Sequence, residues 1–416
     1  NSSQDLSADL TAKATSSNED YFEVRCKIDD TTLKAGATTE LTVTVELLKT
    51  PIDETKEDLS TNIGVSITAE PKQPGEETNA GSTTVTSKKP ITNPYLPEGF
   101  TQVDETTLEN GLTIQDGTGN QYVWVEVPKT KEVYPTAGLK ITDFTESEYT
   151  AIETDLHTYT NDYREDGHVD EYYSYGTTGL TSEQYTALKQ KMLKSVYQNG
   201  GFYVGKYETG IEDTPKTDGS AFTAPTEIPV IKQNAYPYNN VTCSQAQALA
   251  SGMVKSENYT SSLMFGVQWD LVLKYLETKG TAQADLNNNS TSWGNYENNL
   301  WNITNANSKY STDYGKTWTS GAYGAKGSNK GILLSTGASD TFSKQGIYDL
   351  AGNVFEWTLE YTGISSISCA ERGGCYGGYG YRTGSSSDGQ ASVRPYTGKF
   401  NGSYYGRGDG FRVSIF

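Results

Sequence analysis

The chain has 416 residues, and its 52 acidic side chains against 33 basic ones give a formal net charge of −19 at pH 7. A charge this negative repels phosphate backbones and anionic lipid heads, which excludes nucleic-acid grooves and polybasic membrane contacts. Two histidines, and four cysteines without CxxC spacing, exclude most zinc-hydrolase chemistry.

The composition also predicts where the protein works. No run of about 18 apolar residues occurs, so no direct membrane insertion is expected. The chain starts with Asn, and residues 1–19 form a polar Ser/Thr/Asp-rich segment. Abundant Thr, Asn, Gly and Tyr with 3 Met is typical of a secreted, cell-surface or virion-surface protein, whose targeting or anchor segment would be absent from this chain.

Residues 20–71 alternate in the manner of β-strands, in YFEVRCKI, LTVTVELL and NIGVSITAE. They predict a small β-sandwich, and the KAGATTELTVTVEL pattern resembles immunoglobulin-like modules near the N-termini of bacterial surface proteins. About fifty residues is small for a sandwich, so a neighbouring copy could supply strands by self-association. Residues 72–98 are rich in Pro, Gly, Ser and Thr and predict an extended linker.

Residues 99–416 predict a second domain of the α+β class. QYVWVEVP and GFYVGKYETG are strand-like, and three stretches have helical periodicity. Two of the helices carry capping boxes, Thr181 with Gln184 and Thr242 with Gln245, and the third covers Gly266 to Thr278. Residues 281–345 are rich in Asn, Ser, Gly and Thr with isolated Trp, which indicates long loops between few, short helices.

Three motifs follow towards the C-terminus: GIYDLAGNVFEWT at 346–358, ERGGCYGG at 371–378, and the terminal GDGFRVSIF. In this order they resemble the formylglycine-generating-enzyme (sulfatase-modifying factor) family, whose fold is a C-type-lectin-like domain. The resemblance covers residues 100–416. SLMFGVQWDLVLKYL stands where the family usually has RLPTEAEWEYA, and the usual Arg, Pro and Glu of that segment are absent.

The resemblance implies a structural Ca²⁺ ion held by Asp349, the carbonyls of Gly352 and Val354, and Glu356. Hard oxygen ligands around a glycine-containing turn are the chemistry that calcium prefers. The alternative is that the two carboxylates accept hydrogen bonds from the loop backbone. No catalytic cofactor is expected.

The cysteines argue against an enzyme. Catalysis in the resembled family uses a closely spaced cysteine pair beyond the RGG motif, and no cysteine follows Cys375 here. Cys369 and Cys375 are six residues apart and could close a small disulfide in an oxidising compartment, with two free thiols as the alternative.

Residues 373–410, called here the tyrosine-rich segment, contain six Tyr, twelve Gly and five Ser. This is the composition of an antibody paratope, in which Tyr supplies rigid contact area and Ser and Gly adapt the backbone. Large apolar side chains at a regular period are missing from it. We therefore expect most of the segment to face outward, between a buried RGG strand and a buried GFRVSIF strand.

A segment of this kind between RGG and GFRV resembles the variable proteins of diversity-generating retroelements, which use the lectin-like fold to present a diversified C-terminal region. The resemblance implies scaffold roles for Arg372, Gly373, Gly374, Phe411 and Arg412. The alternative is that these residues form ordinary loops of a lectin-like fold. The candidate ligand-facing residues are Tyr376, Tyr379, Tyr381, Ser386, Tyr396, Asn401, Tyr404, Tyr405 and Asp409.

The leading hypothesis is a surface-displayed protein that binds a protein or glycan receptor without chemistry. Two alternatives belong to other classes: a thiol-dependent oxidase of the formylglycine type, and a structural subunit of a surface fibre or virion.

Overall fold

The computed structural model describes residues 7–16, 22–29, 32–34, 38–47, 63–72, 94–164, 178–216, 224–254, 256, 258–288, 290–361, 369–377, 391–392 and 408–416. The chain divides into two compact units, Asn1–Lys88 and Lys89–Phe416. The predicted linker lies mostly outside the described residues.

The first unit is built from β-strands. Its strands are β1 (Ser7–Ser16), β2 (Phe22–Ile28), β3 (Thr32–Lys34), β4 (Leu41–Leu47) and β5 (Ile63–Lys72). They form an antiparallel sheet in the order β3-β1-β5 and an antiparallel β2-β4 pair. Residues 1–19 were expected to be a polar segment outside the module, which is wrong: β1 is the central strand of its sheet and pairs with β5 along its whole length.

Strands β4 and β5 each have one strand neighbour among the described strands. Both carry exposed apolar side chains, from Val43 at 36% exposure to Ile67 at 56%. Edge strands with exposed β-branched side chains can add a further strand.

The second unit is organised around a six-stranded antiparallel sheet in the order β12-β23-β9-β8-β7-β6. The chain terminus lies inside this sheet, because the last strand pairs with neighbours on both sides. The strands are β6 (Phe100–Gln102), β7 (Thr113–Asp116), β8 (Gln121–Glu126), β9 (Gly201–Gly205), β12 (Ser261–Leu263) and β23 (Val413–Ile415).

Five α-helices and two short 3-10 helices accompany the sheet within the described ranges. The predicted capping boxes Thr181–Gln184 and Thr242–Gln245 are both present, and the helices begin directly after them. The α-helices are α1 (Glu146–Tyr159), α2 (Ser182–Asn199), α3 (Cys243–Ser251), α4 (Gly266–Thr278) and α5 (Gln283–Leu286), and the 3-10 helices are Asn161–Tyr163 and Asp340–Phe342.

Short strands make up the rest. They form four small antiparallel sheets and one mixed three-stranded sheet, β21-β20-β22. The strands are β10 (Gly210–Ile211), β11 (Tyr236–Pro237), β13 (Trp301–Ile303), β14 (Lys309–Ser311), β15 (Thr319–Ser320), β16 (Gly324–Lys326), β17 (Leu333–Leu334), β18 (Ser343–Lys344), β19 (Ile347–Tyr348), β20 (Phe355–Trp357), β21 (Glu371–Arg372) and β22 (Asp409–Phe411).

The main core lies between the large sheet and helices α2 and α4. Tyr122, Val123, Trp124 and Val125 are all buried, because β8 is covered on both faces. Helix α4 buries most of its length and packs against β8, while α2 packs against β9. The unit is therefore of the α+β class with few helices, as the sequence predicted.

Candidate functional site

The mixed sheet β21-β20-β22 brings the two ends of the tyrosine-rich segment together. Strand β21 runs antiparallel to β20, with Glu356 opposite Arg372, and β22 runs parallel to β20, with Phe355 opposite Asp409. The chain therefore leaves β21 and enters β22 at the same end of β20. The segment begins and ends at one edge of the frame.

Backbone hydrogen bonds hold this junction. Gly352 N–H donates to the Gly373 carbonyl at 2.8 Å, and Phe355 N–H donates to the Gly408 carbonyl at 2.7 Å. Tyr376 N–H donates to the Asn353 carbonyl at 2.8 Å. The AGNVF stretch thus contacts both ends of the segment directly, so this stretch of the GxYDxAGNVxEW motif serves as a structural junction.

The segment also contacts the frame in its middle. Ala391 and Ser392 are buried, and the Ala391 carbonyl accepts a hydrogen bond from Trp269 Nε1 at 3.0 Å. Ser392 N–H donates to the Leu286 carbonyl at 3.3 Å. The frame thus contacts the segment at Ala391 and Ser392 as well as at its two ends.

Arg372, the arginine of the RGG motif, is completely buried beside β20. Its Nη2 donates to Asp270 Oδ1 at 2.7 Å and its Nη1 donates to Glu360 Oε2 at 2.8 Å. The guanidinium lies over the Trp269 ring at 5.5 Å, which adds a cation–π contact. Paired carboxylates make a buried charge tolerable, so the strand that leads into the segment is held by helix α4.

Arg412, the arginine of the GFRV motif, holds the other end. It forms a two-pronged ion pair with Glu356, Nε to Oε2 at 2.9 Å and Nη2 to Oε1 at 2.6 Å. Two further hydrogens are donated to the carbonyls of Gly205 and Tyr348, each at 2.8 Å. The strand that follows the segment is thereby tied to the central sheet.

Three carboxyl groups surround Arg412: Glu208, Asp349 and Glu356. Burial raises the pKa of Glu208 well above its usual range, and the neighbouring Asp349 and Glu356 add to the rise. Burial likewise raises the pKa of Asp349 to about 7, although a hydrogen bond from Gly337 and the charge of Arg412 oppose it. One guanidinium cannot compensate three buried negative charges, so the folded state favours protonation within this cluster of three carboxyl groups.

Packing accounts for the residues of the AGN turn, 351–353. Gly352 has φ +80°, and a Cβ there would lie 2.5 Å from the carbonyl oxygen of Asn295. The Asn353 amide is fully used: Oδ1 accepts from Asn295 Nδ2 and Leu334 N–H, and Nδ2 donates to Glu208 Oε2 at 2.7 Å. These contacts give the residues of the turn a structural role.

The contacts do not fit a calcium ion at the predicted ligands. Both Glu356 oxygens are bound by the Arg412 guanidinium, whose charge repels a cation, and Asp349 Oδ2 accepts the Gly337 N–H at 2.6 Å. Asp349 thus accepts a hydrogen bond from a backbone N–H, as in the alternative stated above, whereas Glu356 accepts hydrogen bonds from the side chain of Arg412.

Two of the nine candidate ligand-facing residues lie in the interior. Tyr376 is 2% exposed and packs with Leu333 and Val354, and Asp409 is 4% exposed within β22. Their assignment as surface contacts is corrected, because both belong to the strands and turn that close the segment. The other seven lie outside the described residues: Tyr379, Tyr381, Ser386, Tyr396, Asn401, Tyr404 and Tyr405.

The predicted scaffold residues lie where their role requires. Arg372, Phe411 and Arg412 are completely buried. Gly373 has φ +87°, and a Cβ there would lie 2.8 Å from the Leu350 carbonyl oxygen. The buried strands expected on both sides of the segment are confirmed by β21, β22 and β23.

None of the four cysteines is in a disulfide, so the candidate Cys369–Cys375 bond is not formed in this structure. The two side chains lie in different places. Cys369 is buried with Cys243 in the main core, whereas the Cys375 sulfur lies beside Gly408, 3.7 Å from where a Cβ on that residue would be.

Three of the buried carboxylates around the two arginines were not predicted. Asp270, Glu208 and Glu360 are completely buried. The sequence carried one signal for Asp270, because it is the only charged residue in VQWDLVL, an otherwise largely apolar stretch of helix.

No α-helix among the described residues is both long and apolar enough to cross a bilayer. Comparison with protein-family models, curated proteins and solved structures finds no match for this chain.

Proposed function

We propose that this chain is a surface-displayed binding protein, in which a C-type-lectin-like frame presents a diversified tyrosine-rich segment to a protein or glycan receptor. The N-terminal β unit and the linker would carry this domain away from the surface. The proposal is one of recognition without a catalytic step.

The observation that carries the proposal is the double arginine attachment. The segment lies between Arg372 and Arg412, both completely buried, and each arginine has carboxylate partners outside the segment. The described hydrogen bonds of both guanidinium groups therefore use no side chain of the segment. Such a frame tolerates sequence change in the segment, which a diversified binding region requires.

The composition of the segment supports recognition. Tyr379, Tyr381, Tyr396, Tyr404 and Tyr405 stand among Gly and Ser, as in paratopes. Buried tyrosines at an interface contribute on the order of 2 kcal/mol each at hot spots, and the surrounding residues exclude water.

The cysteine arrangement favours binding over a thiol oxidase. An oxidase of the formylglycine type needs two neighbouring thiols beyond the RGG motif. No cysteine follows Cys375 in the chain, and Cys369 lies beside Cys243 in the core.

Replacing Tyr404 and Tyr405 together with alanine is expected to abolish receptor binding while the melting temperature changes by less than about 2 °C, because the composition of the segment predicts that both rings face outward. Fluorescently labelled protein is applied to a printed glycan array and to a panel of intact bacterial cells, and melting is followed by calorimetry. Ile228→Ala, at a residue that is 79% exposed and outside the segment, serves as the control and keeps binding. A large loss of stability with unchanged binding would show that the two rings are structural.

A further inference from the structure

The structure brings together two buried thiols from distant parts of the chain. Cys243 is the first residue of α3, and Cys369 lies two residues before the start of β21. Cys243 is 0% exposed and Cys369 is 4% exposed, and both belong to the main core.

Thr358 connects the two stretches of chain that carry these cysteines. The Cys243 thiol lies 3.7 Å from the Thr358 carbonyl oxygen, to which it donates. Thr358 in turn donates from N–H and Oγ1 to the Ala370 carbonyl, at 3.0 and 2.8 Å, directly beside Cys369. Burial raises the pKa of Cys243 well above its usual range, and a hydrogen bond with the Cys369 thiol is the next largest cause.

We infer that Cys243 and Cys369 form a disulfide when the protein folds in an oxidising compartment, and that this bond fastens the strand entering the tyrosine-rich segment to helix α3. The bond replaces the Cys369–Cys375 pairing that sequence spacing suggested. It goes beyond the proposed function and holds whether or not a receptor is bound.

The reaction uses a low-molecular-weight disulfide such as oxidised glutathione. One cysteine thiolate attacks it, which forms a mixed disulfide and releases one reduced glutathione. The second thiolate attacks the mixed disulfide, forms the Cys243–Cys369 bond and releases the second reduced glutathione. Two protein thiols lose two protons and two electrons in total.

The bond must form during folding. Thiolate is the attacking species, and a buried thiol with a raised pKa supplies little of it at neutral pH. Before the core closes, both thiols are exposed to the oxidant. Once the bond has formed and the core has closed, burial protects the bond from reductants.

The test refolds the full chain in a glutathione redox buffer and, in parallel, in dithiothreitol. We expect two free thiols per chain after oxidative refolding and four after reductive refolding, counted by maleimide–polyethylene-glycol gel shift in denaturant. Non-reducing peptide mapping by mass spectrometry should show a cross-link between the peptides that contain Cys243 and Cys369. The oxidised protein should melt about 5–10 °C higher than the reduced protein.

Matched variants assign the pair. Cys375→Ser should keep the cross-link and leave one free thiol, while Cys243→Ser should abolish the cross-link and the difference in melting temperature. Should Cys243→Ser fail to fold, the peptide map of the unmodified chain still decides. Four free thiols after oxidative refolding, or a cross-link between Cys369 and Cys375, would overturn the inference.

Discussion

Replacing Arg412 with methionine is expected to lower the free energy of unfolding of the Lys89–Phe416 unit by about 3–5 kcal/mol. The substitution leaves the Glu356 carboxylate buried without a cation, and it leaves the carbonyls of Gly205 and Tyr348 without their donor. Folded domains are stable by about 5–15 kcal/mol, so this loss is a large share of the total.

Urea denaturation followed by tryptophan fluorescence measures the effect. All six tryptophans lie beyond residue 89, so the signal reports the second unit alone. The control is Lys232→Met, which removes an ion pair of similar length, 2.8 Å to Glu212, at an exposed site, where less than about 1 kcal/mol is expected.

A second substitution tests whether the uncompensated Glu356 carboxylate causes the loss of stability. Adding Glu356→Leu to Arg412→Met removes the uncompensated charge, so the double variant should be more stable than the single one. A fall of less than about 1 kcal/mol in the free energy of unfolding of Arg412→Met would contradict the role assigned to this pair. So would a double variant that is less stable than Arg412→Met.

Raising the pH from 5 to 8 is expected to lower the free energy of unfolding of the same unit by about 2–3 kcal/mol through Asp349 alone. Burial raises the pKa of Asp349 to about 7, above the value of about 4 that it has in an unfolded chain. The folded state therefore prefers the protonated form. The stabilisation is complete below about pH 4 and is lost as the pH rises through about 7.

The neighbours of Asp349 act in the same direction. Burial raises the pKa of both Glu208 and Glu356, whereas Arg412 stays charged and lowers the pKa of all three carboxyl groups. Carboxylates with a lowered pKa, such as Asp313 at about 2, have their opposite effect below this pH window.

Asp349→Asn isolates the effect, because asparagine keeps an oxygen for the Gly337 N–H and cannot ionise. Urea denaturation at pH 5, 6, 7 and 8 should show a smaller loss of stability for the variant than for the unmodified chain. Both proteins share the overall negative charge, so its repulsion cancels in the comparison. Equal pH slopes would show that Asp349 is ionised throughout.

Sequence patterns predicted the elements that local chemistry determines. The boxes at Thr181 and Thr242 marked two helix starts correctly, and strand alternation found β8 and β9. Helix α1 was missed although Thr145 and Glu148 form a capping box, because its threonines and charges give a weak apolar stripe.

Tertiary effects explain what was missed. Strand β1 reads as polar, and its place in the module depends on pairing with β5, nearly fifty residues away. Composition identified the tyrosine-rich segment but could not tell an inward tyrosine such as Tyr376 from an outward one. Burial of Asp270 and Glu360 depends on Arg372, which approaches them only in the folded chain.

The central claim is that the frame folds independently of the candidate ligand-facing side chains of the tyrosine-rich segment other than Tyr376 and Asp409. Its most direct test is the protease resistance of displayed libraries. One library randomises Tyr379, Tyr381, Ser386, Tyr396, Asn401, Tyr404 and Tyr405. The matched control library randomises seven buried positions at the attachment points: Glu371, Arg372, Tyr376, Ala391, Asp409, Phe411 and Arg412.

Both libraries are treated with thermolysin, and surviving clones are counted by sequencing. Most clones of the first library should survive like the unmodified chain, while nearly all clones of the control library should be cleaved. Equal cleavage of the two libraries would contradict a frame that is separable from its binding segment.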